Sequence, residues 1–528
     1  MMRKLTIYVF VIIMPILLFC DNTMEVIAYM EGENEHDRLG DNMTSLDFNG
    51  DGFDELVVYS PNWPEGAPQH YGKLYFYEGG PDFDAEYDFG LEGTEESKIL
   101  YTFDNLGDMN GDGYEDLGVS RGLNGYWYID IYFGNEQQEL EPDLQYLPEG
   151  NYTPFIVRPL GDVNADGFDD SGVIMVSTLG EDQPSKFCIC YGSDTQIVKE
   201  VLAEDLGIGS SEGMVGVGDV NNDGYDDFTI GYTYYDEYWS ERYTNTLYYG
   251  GEEIDSEPDV ILWDEEQTYM TLGKPAGRFN GDEYDDFVGH FDNTSTYFWY
   301  GQENITNQYD FLLSYGGGGS SLDYGFDFGD VNNDGYDDFA IGNHYAGGNG
   351  KAFLYLGGND PNNVVDMEFT ESVNLSDDLF GSSLTMGYFD GDEYADLAVG
   401  APTNWDYHPF HGRGYVFVYG GNGQLYDTAN EEEAIPQPPK ATLTAHPNPF
   451  NPTITFQIKA NDYENLQIKI FNAKGQKVKT IKSSEITEAS NHQVTWNAQK
   501  QASGIYYCIL VNVATGQQLA AQKVTLLK

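Results

Sequence analysis

Nine-residue strings of carboxylate and amide side chains recur along the chain at a spacing that suits an oxygen cage for a hard cation. Five copies are intact. They place Asp47, Asn49, Asp51 and Glu55 around Phe53; Asp108, Asn110, Asp112 and Asp116 around Tyr114; and Asp162, Asn164, Asp166 and Asp170 around Phe168. The other two place Asp219, Asn221, Asp223 and Asp227 around Tyr225, and Asp330, Asn332, Asp334 and Asp338 around Tyr336. The first, third and fifth side chains of such a string converge on one point. The carbonyl of the seventh residue and the carboxylate of the ninth complete the donor set. Hard oxygen donors of this kind suit calcium, and glycine at the sixth place permits the sharp turn. An EF-hand starts in the same way but needs a bidentate Glu at its twelfth place. Here Val58, Val119, Val173, Ile230 and Ile341 occupy that place. The expected element is therefore a calcium loop inside a β-hairpin, with about five Ca2+ sites in all.

Two further copies are degenerate, at 278–286 and 388–396. Arg278 puts a cation where the first carboxylate belongs and is expected to take the place of the ion. Tyr388 supplies no carboxylate, and Glu283 and Glu393 replace the turn glycine. These two loops are expected to bind calcium weakly or not at all.

The elements that position the loops follow from their period. Start-to-start spacings are 61, 54, 57, 59, 52 and 58 residues. Each loop has an apolar run before it (Met214–Val217) and another after it (Phe228–Ile230). A third run ends in Tyr-Gly, as in Tyr248-Tyr249-Gly250, and a weaker fourth follows, as in Asp259–Trp263. Four short strands per repeat, rich in Val, Ile, Tyr and Phe, describe a propeller blade. The expected fold class is all-β: a seven-bladed β-propeller over residues 24–430, followed by a small β-sandwich over 441–528. The seventh repeat lacks a convincing fourth run, whereas Met24–Tyr29 precedes the first repeat as an orphan strand. The N-terminal strand is therefore expected to complete the last blade, which removes two open edges.

The chain has 528 residues, with 89 acidic against 24 basic side chains and a net charge of −65. That balance excludes a nucleic-acid binder, which needs a Lys/Arg footprint, and opposes docking on an anionic membrane. The 79 aromatic residues exclude a disordered acidic chain. The charge is divided unevenly. Residues 436–528 carry ten Lys and four acids, a net of +6, which leaves −71 for residues 1–435. Between the two regions runs a Glu- and Pro-rich linker at 431–440, a stiff polar spacer.

Arg3 and Lys4 ahead of the apolar run Leu5–Phe19 have the layout of a secretory signal peptide, expected over residues 1–20. Cys188 and Cys190, two apart in one strand, share a face and are not expected to pair with each other.

In an antiparallel blade the loops joining strands two and three lie on the face opposite the calcium loops. Those loops are aromatic, and Trp63, His70, Tyr235, Trp239, Tyr345, Trp405, His408 and His411 are candidates for stacking on a sugar or anchoring a protein. An unknown protein or glycan ligand on that face, and a monomeric state, are expected. A polysaccharide hydrolase or lyase is the alternative, since acids and stacking aromatics also suit glycosidic chemistry. Against an enzyme stand the absence of a Gly-x-Ser-x-Gly elbow or a His-Glu-x-x-His helix and the assignment of the acids to loops. Asp406, His408 and His411 form the one compact acid–base constellation.

The repeats resemble the FG-GAP repeats of the integrin α-subunit propeller, across roughly residues 24–426. Lead-ins such as Phe380-Gly381-Ser382-Ser383 and exits such as Val399-Gly400-Ala401-Pro402 carry the resemblance. It implies a seven-bladed calcium-binding propeller used in adhesion or ligand recognition. Residues 441–528 resemble the type IX secretion sorting domain of Bacteroidetes-like bacteria. The matching stretches are His446–Pro452, Ile468–Gln476, Ser503–Tyr507 and the terminal Lys523–Lys528. This implies engagement of the outer-membrane secretion machinery, removal of the domain, and an extracellular or outer-membrane-surface location.

Overall fold

The computed structural model describes residues 23–528 apart from 65–69, 124–125, 180–183, 207–212, 236–240, 267–270, 293–294, 315–324, 360, 371–378, 403–412, 426–440, 461–465, 473–476, 483–492 and 513–517. The expected signal peptide and the linker at 431–440 thus lie outside the described residues. The chain divides into two compact units, 1–429 and 430–528.

Among the described residues of the first unit there are seven four-stranded antiparallel sheets, one centred on each repeat. The first blade is Met43–Leu46, Glu55–Ser60, Lys73–Tyr77 and Phe89–Glu92. Second strands such as Glu55–Ser60, Asp338–Asn343 and Asp396–Ala401 are buried along their whole length. Both faces of such a strand meet a neighbouring sheet, so its apolar run is continuous rather than alternating. Leu46, Val57 and Phe76 of the first sheet, for example, share a core with Phe103, Leu117 and Tyr132 of the second.

The sheets close into a ring. The first strand of each sheet touches the first strand of the next, and Leu384–Gly387 of the last sheet touches Met43–Leu46 of the first. The seventh sheet takes three strands from its own repeat, Leu384–Gly387, Asp396–Ala401 and Tyr415–Gly420, and its fourth from Glu25–Glu31. The orphan strand read from the sequence pairs with Val26 opposite Tyr419 and Tyr29 opposite Phe417. Tyr29 also stacks on Tyr415, with ring centroids 5.7 Å apart. The single helical element among the described residues is a 3-10 turn at Ala346–Gly348.

The second unit is a sandwich of a three-stranded sheet (Ala441–His446, Thr453–Ala460, Gln493–Asn497) and a four-stranded one (Lys477–Ile481, Leu466–Asn472, Gly504–Asn512, Gln518–Leu526). Alternation supplies its core: Ile454, Phe456 and Ile458 from one sheet meet Ile468, Ile470 and Leu510 from the other. Cys188, Cys190 and Cys508 are all buried, and none of the three is in a disulfide.

Candidate metal loops and the latches between them

Each nine-residue string joins the first and second strands of its blade, and Val58, Val119, Val173, Ile230 and Ile341 lie on the outgoing strands, fully buried. The hairpin reading therefore holds and the EF-hand does not apply. The second residue of every loop is the anchor. Phe48, Met109, Val163, Val220, Phe279, Val331 and Phe389 are all completely buried.

In the fourth loop the Asp219 carboxylate accepts the N–H of Asp223 on Oδ1 (3.0 Å) and of Gly224 on Oδ2 (2.9 Å). Asn221 Oδ1 accepts the Asp223 N–H at 2.8 Å, and Asp223 Oδ1 accepts the Tyr225 N–H at 3.1 Å. The first, third and fifth side chains thus all turn inward on the same bend. Loops one, three and six repeat these four bonds with their own residues. So does loop two. The bend needs glycine at the sixth place: φ is +90° at Gly52 and Gly113, +91° at Gly167, +93° at Gly224 and +88° at Gly335.

The ninth carboxylate is completely buried in all seven loops. Asp227 accepts the Val220 N–H at 3.0 Å from its own loop and the Gly250 N–H at 2.9 Å from the end of the third strand. That second bond explains the recurring Tyr-Gly. A Cβ on Gly79, Gly134, Gly192, Gly250, Gly301, Gly357 or Gly421 would run into the carbonyl of the loop's eighth residue. Burial, reinforced by the neighbouring loop charges, pushes Glu55, Asp116, Asp170 and Asp227 up to about 8 and Asp338 well above the usual carboxylate range.

This donor set fits a hard divalent cation. The side-chain donors are all oxygens, and each oxygen that accepts one N–H retains a lone pair for a metal. The buried ninth acid, surrounded by like charges, is the kind of group a cation returns to its ionised form.

The degenerate loops differ from the expectation in two respects. Arg278 does not fill the centre of its loop. Its side chain is 58% exposed and its Nε pairs with Asp285 Oδ1 at 3.2 Å. In the seventh loop Asp390 replaces the usual amide at the third place, and the carboxylates of Asp390, Asp392 and Asp396 bring oxygens within 4.8 Å of one another.

Sequence reasoning left the eighth residue without a role, and the structure gives it one. The Asp169 carboxylate accepts the N–H of Asp108 at 2.7 Å, and the Asp169 N–H donates to the Asp108 carbonyl at 3.2 Å. The same double clasp joins Glu115 to Asp47, Asp226 to Asp162, Asp285 to Asp219, Asp337 to Arg278 and Asp54 to Tyr388. Each clasp ties the first residue of one loop to the next blade. Only Ala395, facing Asp330, retains the backbone half alone, at 3.0 Å. The signal was an acid at the eighth place in six of seven copies.

A cavity of about 500 Å³ lies on the ring axis, lined by residues from all seven first strands. Arg158 and Asp104, on neighbouring first strands, pair in its lining at 3.1 Å.

The aromatic candidates are only partly gathered. Trp63 is half-buried, and its ring lies 5.6 Å from Nζ of the buried Lys73, which also sits over Tyr75 and Tyr87. Trp63 therefore helps to cap a lysine rather than standing free. His70 is exposed, its Nδ1 2.8 Å from the Asn62 carbonyl. Tyr345 is 59% exposed beside His344, whose ring is 4.0 Å away, but it belongs to the sixth blade and Trp63 to the first. Tyr235 ends a strand. Trp239, Trp405, His408 and His411, and with them the Asp406 constellation, lie outside the described residues.

A closed ring of four-stranded sheets with acidic hairpin loops defines a repeat-built β-propeller. Residues 39–77, 215–249 and 324–355 match the FG-GAP repeat, and 444–526 match the secretion system C-terminal sorting domain. The chain thus carries FG-GAP repeats followed by a sorting domain, and that domain indicates type IX secretion to an extracellular or cell-surface location in Bacteroidetes-type bacteria. Integrin alpha-PS5 of Drosophila melanogaster is 32% identical over 122 residues, 22% of this chain and 11% of that one. Integrin alpha-6 of Gallus gallus is 29% identical over 107 residues, 20% and 10% of the two chains. Phosphatidylinositol-glycan-specific phospholipase D of Bos taurus is 33% identical over 117 residues, 20% and 14%. The chain spans only about a tenth of the length of these relatives. Among solved structures, that of BBS1N in complex with ARL6DN aligns with a TM-score of 0.43 and 12% identity, over 76% of this chain and 94% of that one.

Proposed function

We propose that this protein is a calcium-stabilised recognition propeller, exported by type IX secretion and acting outside the cell as an adhesion or ligand-binding module rather than as an enzyme. One observation carries the proposal. Five loops repeat the same oxygen donor set, each with a buried carboxylate that lacks a cationic partner in its loop. In this reading Ca2+ sits between the first, third and fifth side chains, and the ninth carboxylate binds it in ionised form. The ions stiffen one face of the ring, and the opposite face, with its aromatic loops, is left to meet a protein or glycan. The sorting domain delivers the propeller through the outer-membrane machinery and is then removed.

The test uses the exported protein. Calorimetric titration with Ca2+ is expected to find about five ions, and a glycan array with a polysaccharide depolymerisation assay then examines recognition. Retention of a glycan without product formation supports the binding role. Product formation at substoichiometric protein would make the propeller an enzyme scaffold instead, and uptake of no calcium would end the metal reading.

A further inference from the structure

The eighth-position clasps connect residues that matter to metal binding in two different loops. Asp169 holds both backbone groups of Asp108, whose carboxylate is the first donor of loop two, while its chain neighbour Asp170 is the ninth donor of loop three. The space for this contact is built in. A Cβ on Gly107, Gly161, Gly218, Gly277 or Gly387, the residue before each loop, would strike the clasping carboxylate of the next blade. Where that glycine is replaced by Leu46, the clasping acid is Glu115 rather than Asp, and its extra methylene reaches past the larger side chain to Asp47 at 2.8 Å. Two independent changes of residue type thus preserve one hydrogen bond.

We infer that the eighth-position acids are positioning residues that couple adjacent calcium loops, so that ions load cooperatively along an unbroken run. This rests on the calcium reading above. An ion that orders loop three fixes Asp169, and Asp169 then holds the first ligand of loop two in place before its own ion arrives. The second ion meets a site already ordered, which is positive coupling without new contacts. The run has definite ends. Loops one to four are intact neighbours joined by Glu115, Asp169 and Asp226. Loop six stands between the degenerate loops five and seven, and its own first residue, Asp330, faces Ala395 without a carboxylate. Four ions should therefore bind cooperatively and one independently.

Calcium titration by calorimetry of the full chain tests this with two matched variants. Asp169→Ala cuts the run of four in the middle. It should flatten the cooperative phase and weaken the affected sites roughly five- to tenfold. Asp337→Ala removes the same kind of clasp from Arg278, which is no calcium ligand, and should leave the isotherm unchanged although a blade contact is lost. An Asp169→Ala isotherm identical to that of the wild type, or an equal effect from Asp337→Ala, would overturn the coupling. Absence of calcium uptake by the wild type would instead sink the metal reading on which it rests. If circular dichroism shows Asp169→Ala unfolded, Asp226→Ala cuts the same run one loop further on. It should flatten the cooperative phase in the same way, and an unchanged isotherm there would equally overturn the coupling.

Discussion

The backbone N–H of Tyr388 donates to Asp54 Oδ2 at 2.8 Å, and the N–H of Asp54 donates back to the Tyr388 carbonyl at 3.2 Å, across 334 residues of chain. This pair closes the ring on the loop face, as Glu25–Glu31 closes it at the outer edge. Asp54→Ala should destabilise the propeller by about 1.5–3 kcal/mol, the usual range for a hydrogen bond to a charged group. Asp54→Asn, whose amide oxygen still accepts, should lose less. Chemical denaturation of both variants checks the ranking, and equal losses would remove the carboxylate from the closure.

Removal of calcium should lower the melting temperature sharply. At tenfold excess over the dissociation constant each independent site adds about 1.4 kcal/mol, so five add about 7, which is within the whole net stability of a typical domain. Scanning calorimetry with and without chelator provides the measurement. An unchanged melt would refute the calcium reading.

The ion-free protein should lose stability as pH rises. The buried ninth carboxyls of loops one to four titrate near 8 when folded, against about 4 when unfolded. Between those values the folded state holds more protons, so stability is full below pH 4 and declines as pH climbs through 8. Calcium should flatten this slope, because the metal holds the carboxylates deprotonated, as they are in the unfolded chain above about pH 5. Melting curves at pH 5 and 8 should show a marked decline with chelator and little change with calcium, and equal declines would count against the site.

Gly250→Ala should be severe. The added methyl meets the Asp226 carbonyl and displaces the N–H that holds Asp227. A loss of about 2–4 kcal/mol is expected, in the range of backbone clashes that also break a buried bond. Gly224→Ala meets no atom within 4 Å but forces alanine to φ +93°, and it should cost less while weakening calcium at that loop. Urea unfolding and calcium titration of the pair separate packing from turn geometry.

Much of this protein was legible in the residues. Period, turn glycines and apolar runs are local signals, so the hairpin loops, the four strands per repeat and the borrowed strand at Val26–Tyr29 could be read from the chain alone. The aromatic loops were less legible. Whether Trp63 stands free or lies over Lys73 depends on which side chains the blade brings beside it, and type and spacing carry no such information.

The acidic composition illustrates the same division. From the sequence, the carboxylates excluded nucleic acid and pointed to a metal. The fold then divided them into groups with different partners. Ninth-position acids such as Asp227 are buried against glycine N–H groups. Eighth-position acids such as Asp169 bond to the next blade. Asp259 accepts the Tyr249 N–H at 2.8 Å and clamps an outer hairpin. Side-chain chemistry, turn preference and repeat length were determined by the sequence itself, because they act within a few residues. The partner of each acid was decided only by the tertiary structure, because closing the ring sets loops some 60 residues apart within hydrogen-bonding distance.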